Sequence, residues 1–264
     1  MDNWVLVAIP MFIFMGLMLD RSGIAEKMMS SIQDLFGKVR GGLAVTIALI
    51  GIILAASTGI IGASVVLLGL LAIPTMLKQG YDNSFAVGTV AASGTLGILI
   101  PPSIMLVLMA DQLGLSVGDL FMGAVFPGLI LGIMYVAYIL VFSFLRPDKA
   151  PLSETRPPLS IGVAWKVLTA AFPAVLLILA VLGSIFAGIT TVTEASGVGA
   201  LGAVILAAIN RRLNFTVLRE VVTGTFNVTG YIFGIFIGAT CFALVLRGLG
   251  GDQIIEAALT GLPF

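Results

Sequence analysis

Residues 42 to 77 form an uncharged apolar run of 36 residues. A straight helix of that length would extend roughly 54 Å. The hydrocarbon core of a bilayer is only about 30 Å thick. The run is interrupted near its middle by Ser57, Thr58 and Gly59, which leaves two arms, each short for a full crossing. These lengths predict a re-entrant helical hairpin, with the polar break at its tip. Residues 83 to 110 pose the same problem, because 28 residues exceed one comfortable crossing. Here Pro101 and Pro102 stand side by side. Proline removes a donor from the helix ladder and pushes the preceding residue out of the α region. Two half-helices joined by irregular backbone are expected.

The composition agrees with a membrane solvent. Only 10% of the 264 residues are charged and 59% are hydrophobic, whereas soluble domains carry about a quarter charged residues. The fold class expected is an all-α integral membrane protein, a polytopic helical bundle. With no histidine and one cysteine, Cys241, there is no ligand set for the usual zinc or haem sites. Cys241 lies in an apolar run and is expected to be a buried, inert thiol. No GxxxxGK[ST] element occurs, so ATP is not hydrolysed by that route. The net charge of zero gives no attraction to nucleic acid. The opening MDNWVLVAIPMF lacks the basic start of a signal peptide and reads as part of a span.

Four regions follow along the chain. Residues 1–41 hold a first span, at about 4–19, and a charged stretch, 22–38, whose Ile24, Met28, Ile32, Leu35 and Phe36 form the stripe of an amphipathic surface helix. Residues 42–112 hold the hairpin and the broken helix. Residues 113–160 hold a span capped by Ser116 and Asp119, running to Leu145, and a proline-rich linker, RPDKAPLSETRPPLS. Residues 161–264 hold spans at 164–187, 194–210 and 220–246, with Thr191 and Glu194 as a capping pair and Asn214 as a cap. Twelve of the thirteen Lys and Arg fall in the loops 21–41, 78–82, 146–166 and 211–219, leaving only Arg247 on the other side. The positive-inside rule makes the rich set cytoplasmic and turns the N-terminus outward.

Two small polar clusters stand out, AASTGIIGAS (55–64) and AASGTLGILIPPS (91–103). Both fall where the backbone should be irregular. Freed carbonyls cannot face lipid, so each break must be buried in protein or line a wet cavity. Carbonyls with Ser and Thr hydroxyls make an oxygen-only ligand set, suited to a hard cation such as Na⁺. Half-helix dipoles at such breaks favour anionic substrate groups. For any single Ser-Gly pair close helix packing is the better explanation. Two clusters in two over-long runs favour a site. The candidate ion ligands are Ser57, Thr58, Gly59, Ser93, Gly94 and Thr95, and Ser64, Pro101, Pro102 and Ser103 are candidates on the substrate side. Asp20, Asp82, Asp111, Asp119 and Glu194 all fall at span ends, where capping or solvation accounts for them. Arg247 reads as an interfacial anchor. An aspartyl intramembrane protease is a poor alternative, because Asp82 and Gly250-Gly251-Asp252 lack the required spacing.

The runs PMFIFMGLMLDRSGIAEKM, AASTGIIGASVVLLGLLAIPTMLKQGYD and SGTLGILIPPSIMLVL, with GITTVTEASGVGA and the RRL at 211–213, are together similar to the large membrane subunit of TRAP (tripartite ATP-independent periplasmic) transporters, the DctM-like family. The similarity covers essentially the whole chain, and the IPPS segment is its most specific part. Val192 departs from the proline usual in the family's GIxTPTEA element. The resemblance implies an elevator-type carrier built as an inverted repeat, of which this chain holds the first half and an incomplete second one, as expected of a partial subunit. It implies no enzyme. It implies Na⁺-coupled import of organic acids across the bacterial inner membrane, a periplasmic binding protein and a small membrane subunit as partners, and no organic cofactor. A related dicarboxylate carrier or a non-transporting scaffold is the alternative.

Overall fold

The computed structural model describes residues 4–24, 27–28, 31, 40–58, 61–152 and 161–260, with backbone alone at Trp4, 54–58, 61, 63–64, 161, 163–164, 166–167 and 258–259. The described residues form helices and no strand. A 3₁₀ turn, Trp4–Val7, leads into α1 (Ala8–Arg21). There follow α2 (Gly42–Thr58), α3 (Ile61–Lys78), α4 (Asn83–Leu99), α5 (Ile104–Leu113), α6 (Val117–Leu145), α7 (Ile161–Phe186), α8 (Val192–Ile209), α9 (Phe215–Gly248) and α10 (Gly251–Thr260). Five segments are long and apolar enough to cross a membrane, counting α4 and α5 as one. The chain is a polytopic helical membrane protein. The amphipathic helix expected at 22–38 lies mostly outside the described residues.

The 36-residue run is divided at the polar break, with α2 ending at Thr58 and α3 starting at Ile61. A Cβ placed on Gly51 of α2 would lie 3.3 Å from Leu68 of α3. These residues stand at matching distances from the helix ends, so the arms run antiparallel as a hairpin. Both arms pack on α4. Gly51 lets α2 approach so closely that an added Cβ would meet the Ser93 Cβ at 2.5 Å. Gly94 does the same for α3, whose Val65 side chain fills the space a Cβ would need. Val90 lies near Gly69 in turn, so α3 and α4 are antiparallel. Small residues thus set the helix separation, as is usual where lipid supplies no hydrophobic drive between helices.

Helix α6 runs back along α2 and α4. Its Gly132 meets Ile52, and its Gly128 meets Ile100 and the Leu99 carbonyl. A second group centres on α1, which lies along α8 through Met15 and Gly199 and along α9 through Leu17 and Gly224. The groups join where α1 packs on α2, around the buried Phe12, Phe121, Ile47 and Ile50.

The caps form as expected. Ser116 accepts from the Asp119 N–H at 3.4 Å, Asn214 accepts from the Val217 N–H at 2.7 Å, and Thr191 with Glu194 forms a complete capping box. Because Asn214 is the cap, α9 starts at Phe215, earlier than the expected 220. The described parts of the basic loops share one end of the bundle. There Arg21 pairs with Glu220 at 2.7 Å, Lys27 donates to Asn210 at 2.6 Å and Lys149 lies 3.6 Å from Asp82. At the other end Thr190 donates to Ser184 at 2.9 Å.

Two expectations fail. Cys241 is exposed, because α9 buries only Val221 against the rest of the described chain. An apolar run reports shelter from water, which lipid supplies as well as protein does. Asp20 is not a cap, and its Oδ1 is buried without a hydrogen-bond partner. Arg247 reaches back to Asp252 at 3.4 Å across the turn into α10.

Gly94→Val should destabilise the protein by about 1–3 kcal/mol, through overpacking against Val65. Gly123→Ala, with nothing within 4 Å of its Cβ position, should be neutral or slightly stabilising. Thermal melting of the purified variants in detergent checks both. Thr191→Ala should cost about 1 kcal/mol in the same assay.

Candidate functional site

The register between α3 and α4 sets the height of the site. Val65 lies beside Gly94 and Gly69 beside Val90, one turn apart on each helix. One further turn brings the first residue of α3, Ile61, level with Ile98 at the end of α4. The polar end of the hairpin and the break between α4 and α5 therefore stand at the same depth. Each helix end leaves carbonyls or N–H groups without intrahelical partners. Two carbonyl-bearing ends (α2 and α4) and two N–H-bearing ends (α3 and α5) lie at this depth. Carbonyl oxygens attract a cation, and helix N-termini attract an anion.

The break itself is extended. Ile100 has φ −90° and ψ 120°, and Ser103 has φ −121° and ψ 126°. Pro101, Pro102 and Ser103 are buried, and the Pro101–Pro102 peptide is cis. Helix α6 closes one side through Gly128, whose Cβ position is 3.4 Å from the Leu99 carbonyl oxygen. The freed backbone is sheltered by protein on that side, as the hydrocarbon environment requires.

Of the candidate residues, Ser93 and Gly94 sit where both hairpin arms touch α4. Ser93 is 1% exposed. Its hydroxyl donates to the Thr89 carbonyl at 2.6 Å, and the Thr89 hydroxyl donates to the Phe85 carbonyl at 2.8 Å. Spending the proton on the backbone leaves the Ser93 oxygen lone pairs available as acceptors. Thr95 is exposed and donates to the Ala92 carbonyl at 2.8 Å. It therefore lies on another face of α4 from Ser93. Ser103 precedes α5, its side chain makes no cap bond, and its buried Oγ has no partner. Such an orphan is uncommon enough to suggest a ligand or water. Gly59 lies outside the described residues, as do the side chains of Ser57, Thr58 and Ser64, though the backbone places Ser57 and Thr58 in the last turn of α2.

A cavity of about 330 Å³ opens between α4 and α6 and reaches Ser93. Thr89, Tyr135, Tyr138 and Phe142 line it, and the Asp82–Lys149 pair stands at its mouth. Asp82 also caps α4, accepting from the Phe85 N–H at 3.1 Å. Thr89, Tyr135 and Tyr138 were not legible as site residues. The only signal was Thr89 with Ser93, four apart and so on one helix face.

The sequence matches the family described as "Tripartite ATP-independent periplasmic transporter, DctM component" over residues 1–263. It is 33% identical over 262 residues to the C4-dicarboxylate TRAP transporter large permease protein DctM of Pseudomonas aeruginosa, covering 99% of this chain and 60% of that protein. It is 36% identical over 203 residues to the protein of the same description from Vibrio cholerae, covering 75% and 43%. It is 29% identical over 262 residues to the isethionate TRAP transporter permease protein DctMQ of Oleidesulfovibrio alaskensis, covering 99% and 41%. The chain thus spans about 60% or less of the length of these relatives.

Ser103→Ala should leave the melting temperature unchanged or raise it slightly, because it removes an unpaired buried hydroxyl worth about 1–3 kcal/mol of desolvation. A fall in melting temperature, measured in the same detergent, would mean that the hydroxyl has a structural partner.

Proposed function

The chain belongs to the DctM family of tripartite ATP-independent periplasmic transporters, and we propose that it forms part of the membrane permease of a Na⁺-coupled carrier that imports organic acids. One observation carries the reading: the hairpin ends and the α4–α5 break lie at one depth, with both arms packed on α4 at Ser93 and Gly94, one to two turns before the break. Carbonyls ending α2 and α4, joined by the hydroxyls of Ser57, Thr58 and Ser93, would hold Na⁺. The N–H groups opening α3 and α5, near Ser64 and Ser103, would receive a carboxylate. Pro101 and Pro102 keep the strand between the half-helices from re-forming a helix, so both sets of backbone groups stay free. Gly59, Gly94 and Thr95 complete the candidate set.

The names of the relatives support substrates of small anionic type, C4-dicarboxylates and isethionate. The partners proposed are a periplasmic solute-binding protein and a small membrane subunit. The bacterial inner membrane is the proposed location, with the basic loops inside and the N-terminal end of α1 facing the periplasm. Na⁺ is the only inorganic ion the scheme requires, and no step is chemical.

Reconstitute the permease containing this chain with both partners in proteoliposomes, and follow labelled organic acid. Uptake should require an inward Na⁺ gradient and stop when the gradient is collapsed. Uptake indifferent to Na⁺ would sink the coupling. The double variant Ser57→Ala, Ser93→Ala should raise the Na⁺ concentration for half-maximal rate about tenfold, the effect of losing two modest polar contacts. An unchanged Na⁺ dependence would make both serines packing residues.

A further inference from the structure

A cleft of about 870 Å³ runs along α3 from Gly62, next to the hairpin tip, to the end of α1 and the turn joining α8 to α9. Its walls combine three chemistries. Arg211 and Arg212 supply guanidinium groups, Asp20 supplies a carboxylate, and Val66, Leu70 and Val217 supply an apolar side. Val66 and Leu70 are 61% and 72% exposed, so this side opens laterally from α3.

The two arginines sit on a held turn. Arg211 has φ 56°, the one non-glycine in the left-handed region among the described residues. A side chain other than glycine, asparagine or aspartate is disfavoured there. Neighbours secure the turn: Lys27 donates to Asn210 at 2.6 Å, and Gly23 abuts the Arg212 side chain, its Cβ position 3.2 Å from Nε. Arg21, also on the cleft, is engaged by Glu220 at 2.7 Å. Asp20 has one carboxylate oxygen buried without a partner. A buried carboxylate lacking hydrogen bonds is costly unless a positive group stands close by.

We infer that this cleft binds a phospholipid with a primary-amine headgroup, of the phosphatidylethanolamine type. Adjacent guanidiniums match the phosphate, since arginine forks recognise its oxygens bidentately. The ammonium offsets the Asp20 carboxylate. The acyl chains run along Val66 and Leu70 toward the middle of the membrane. The polar end of the cleft lies at the end of the bundle that holds Arg21, Arg211 and Arg212, the level of one leaflet's headgroups. A small solute with the same two charges would use the polar end and leave the apolar wall bare. The open apolar wall commits the site to a lipid.

Native mass spectrometry of the purified chain, titrated with phosphatidylethanolamine, phosphatidylglycerol, phosphatidylcholine and soluble glycerophosphoethanolamine, tests the inference. Phosphatidylethanolamine should bind about tenfold tighter than phosphatidylcholine, whose quaternary amine donates no hydrogen bond. Asp20→Asn should remove that preference and leave phosphatidylglycerol unaffected. Arg211→Gly with Arg212→Gln should weaken all three lipids about tenfold, and glycine suits the φ at 211, so the turn is kept. Leu70→Trp, which fills the apolar wall without touching a charge, should also weaken lipid and serves if the arginine variant does not melt cooperatively. Equal binding of the ethanolamine and choline lipids would overturn the inference. So would glycerophosphoethanolamine binding as tightly as the lipid, or lipid binding insensitive to all three variants.

Discussion

In hydrocarbon, each backbone N–H and C=O must find a partner within the protein. The architecture around α4 answers that constraint. Two helices end and two begin at one depth, and the break between α4 and α5 is buried there at Pro101, Pro102 and Ser103. Separate breaks would each need their own shelter. Three glycines make the shared zone possible. Gly51 and Gly94 bring the two hairpin arms onto α4, and Gly128 brings α6 onto the break. Side chains at these positions would hold the helices apart and open the freed carbonyls to lipid.

Around that zone the helices form two packing groups, one of α2 to α6 and one built on α1 with α7, α8 and α9. They meet mainly along the α1–α2 contact. The cleft holding Asp20, Arg211 and Arg212 lies on the other hairpin arm, α3, where it faces the second group across open space. The same hairpin is thus packed tightly on one side and loosely on the other.

Much of this was legible because lengths and caps are local. The 36-residue run could not be straight, and Pro101-Pro102 could not stay helical. Ser116, Thr191 and Asn214 announce helix starts through side chains that reach only three residues along the chain. What was illegible depends on partners far away in sequence. Gly51 reads as one more glycine in an apolar helix until Ser93 is placed against it. Tyr135 and Tyr138 give no signal until α6 is laid on α4 and both line the cavity between them. Cys241 was misread because hydrophobicity does not distinguish lipid from protein. Asp20 was misread because a charge at a span end normally reaches water, and here its Oδ1 is buried. Of the site residues, Ser93 and Gly94 fall at the helix contact, while Thr95, the next residue, is exposed on another face.

The shared zone also bears on how the chain enters the membrane. Synthesis proceeds from the N-terminus, so α2 and α3 emerge before α4, α5 and α6 exist. Neither arm is long enough to cross, and the polar groups at Thr58 and Ile61 have no partner until the later helices arrive. The hairpin must therefore wait, at the membrane surface or within the insertion machinery, for about fifty further residues to be made. In this protein the order of translation and the order of settling differ: the segment made early is among the last to take its final place.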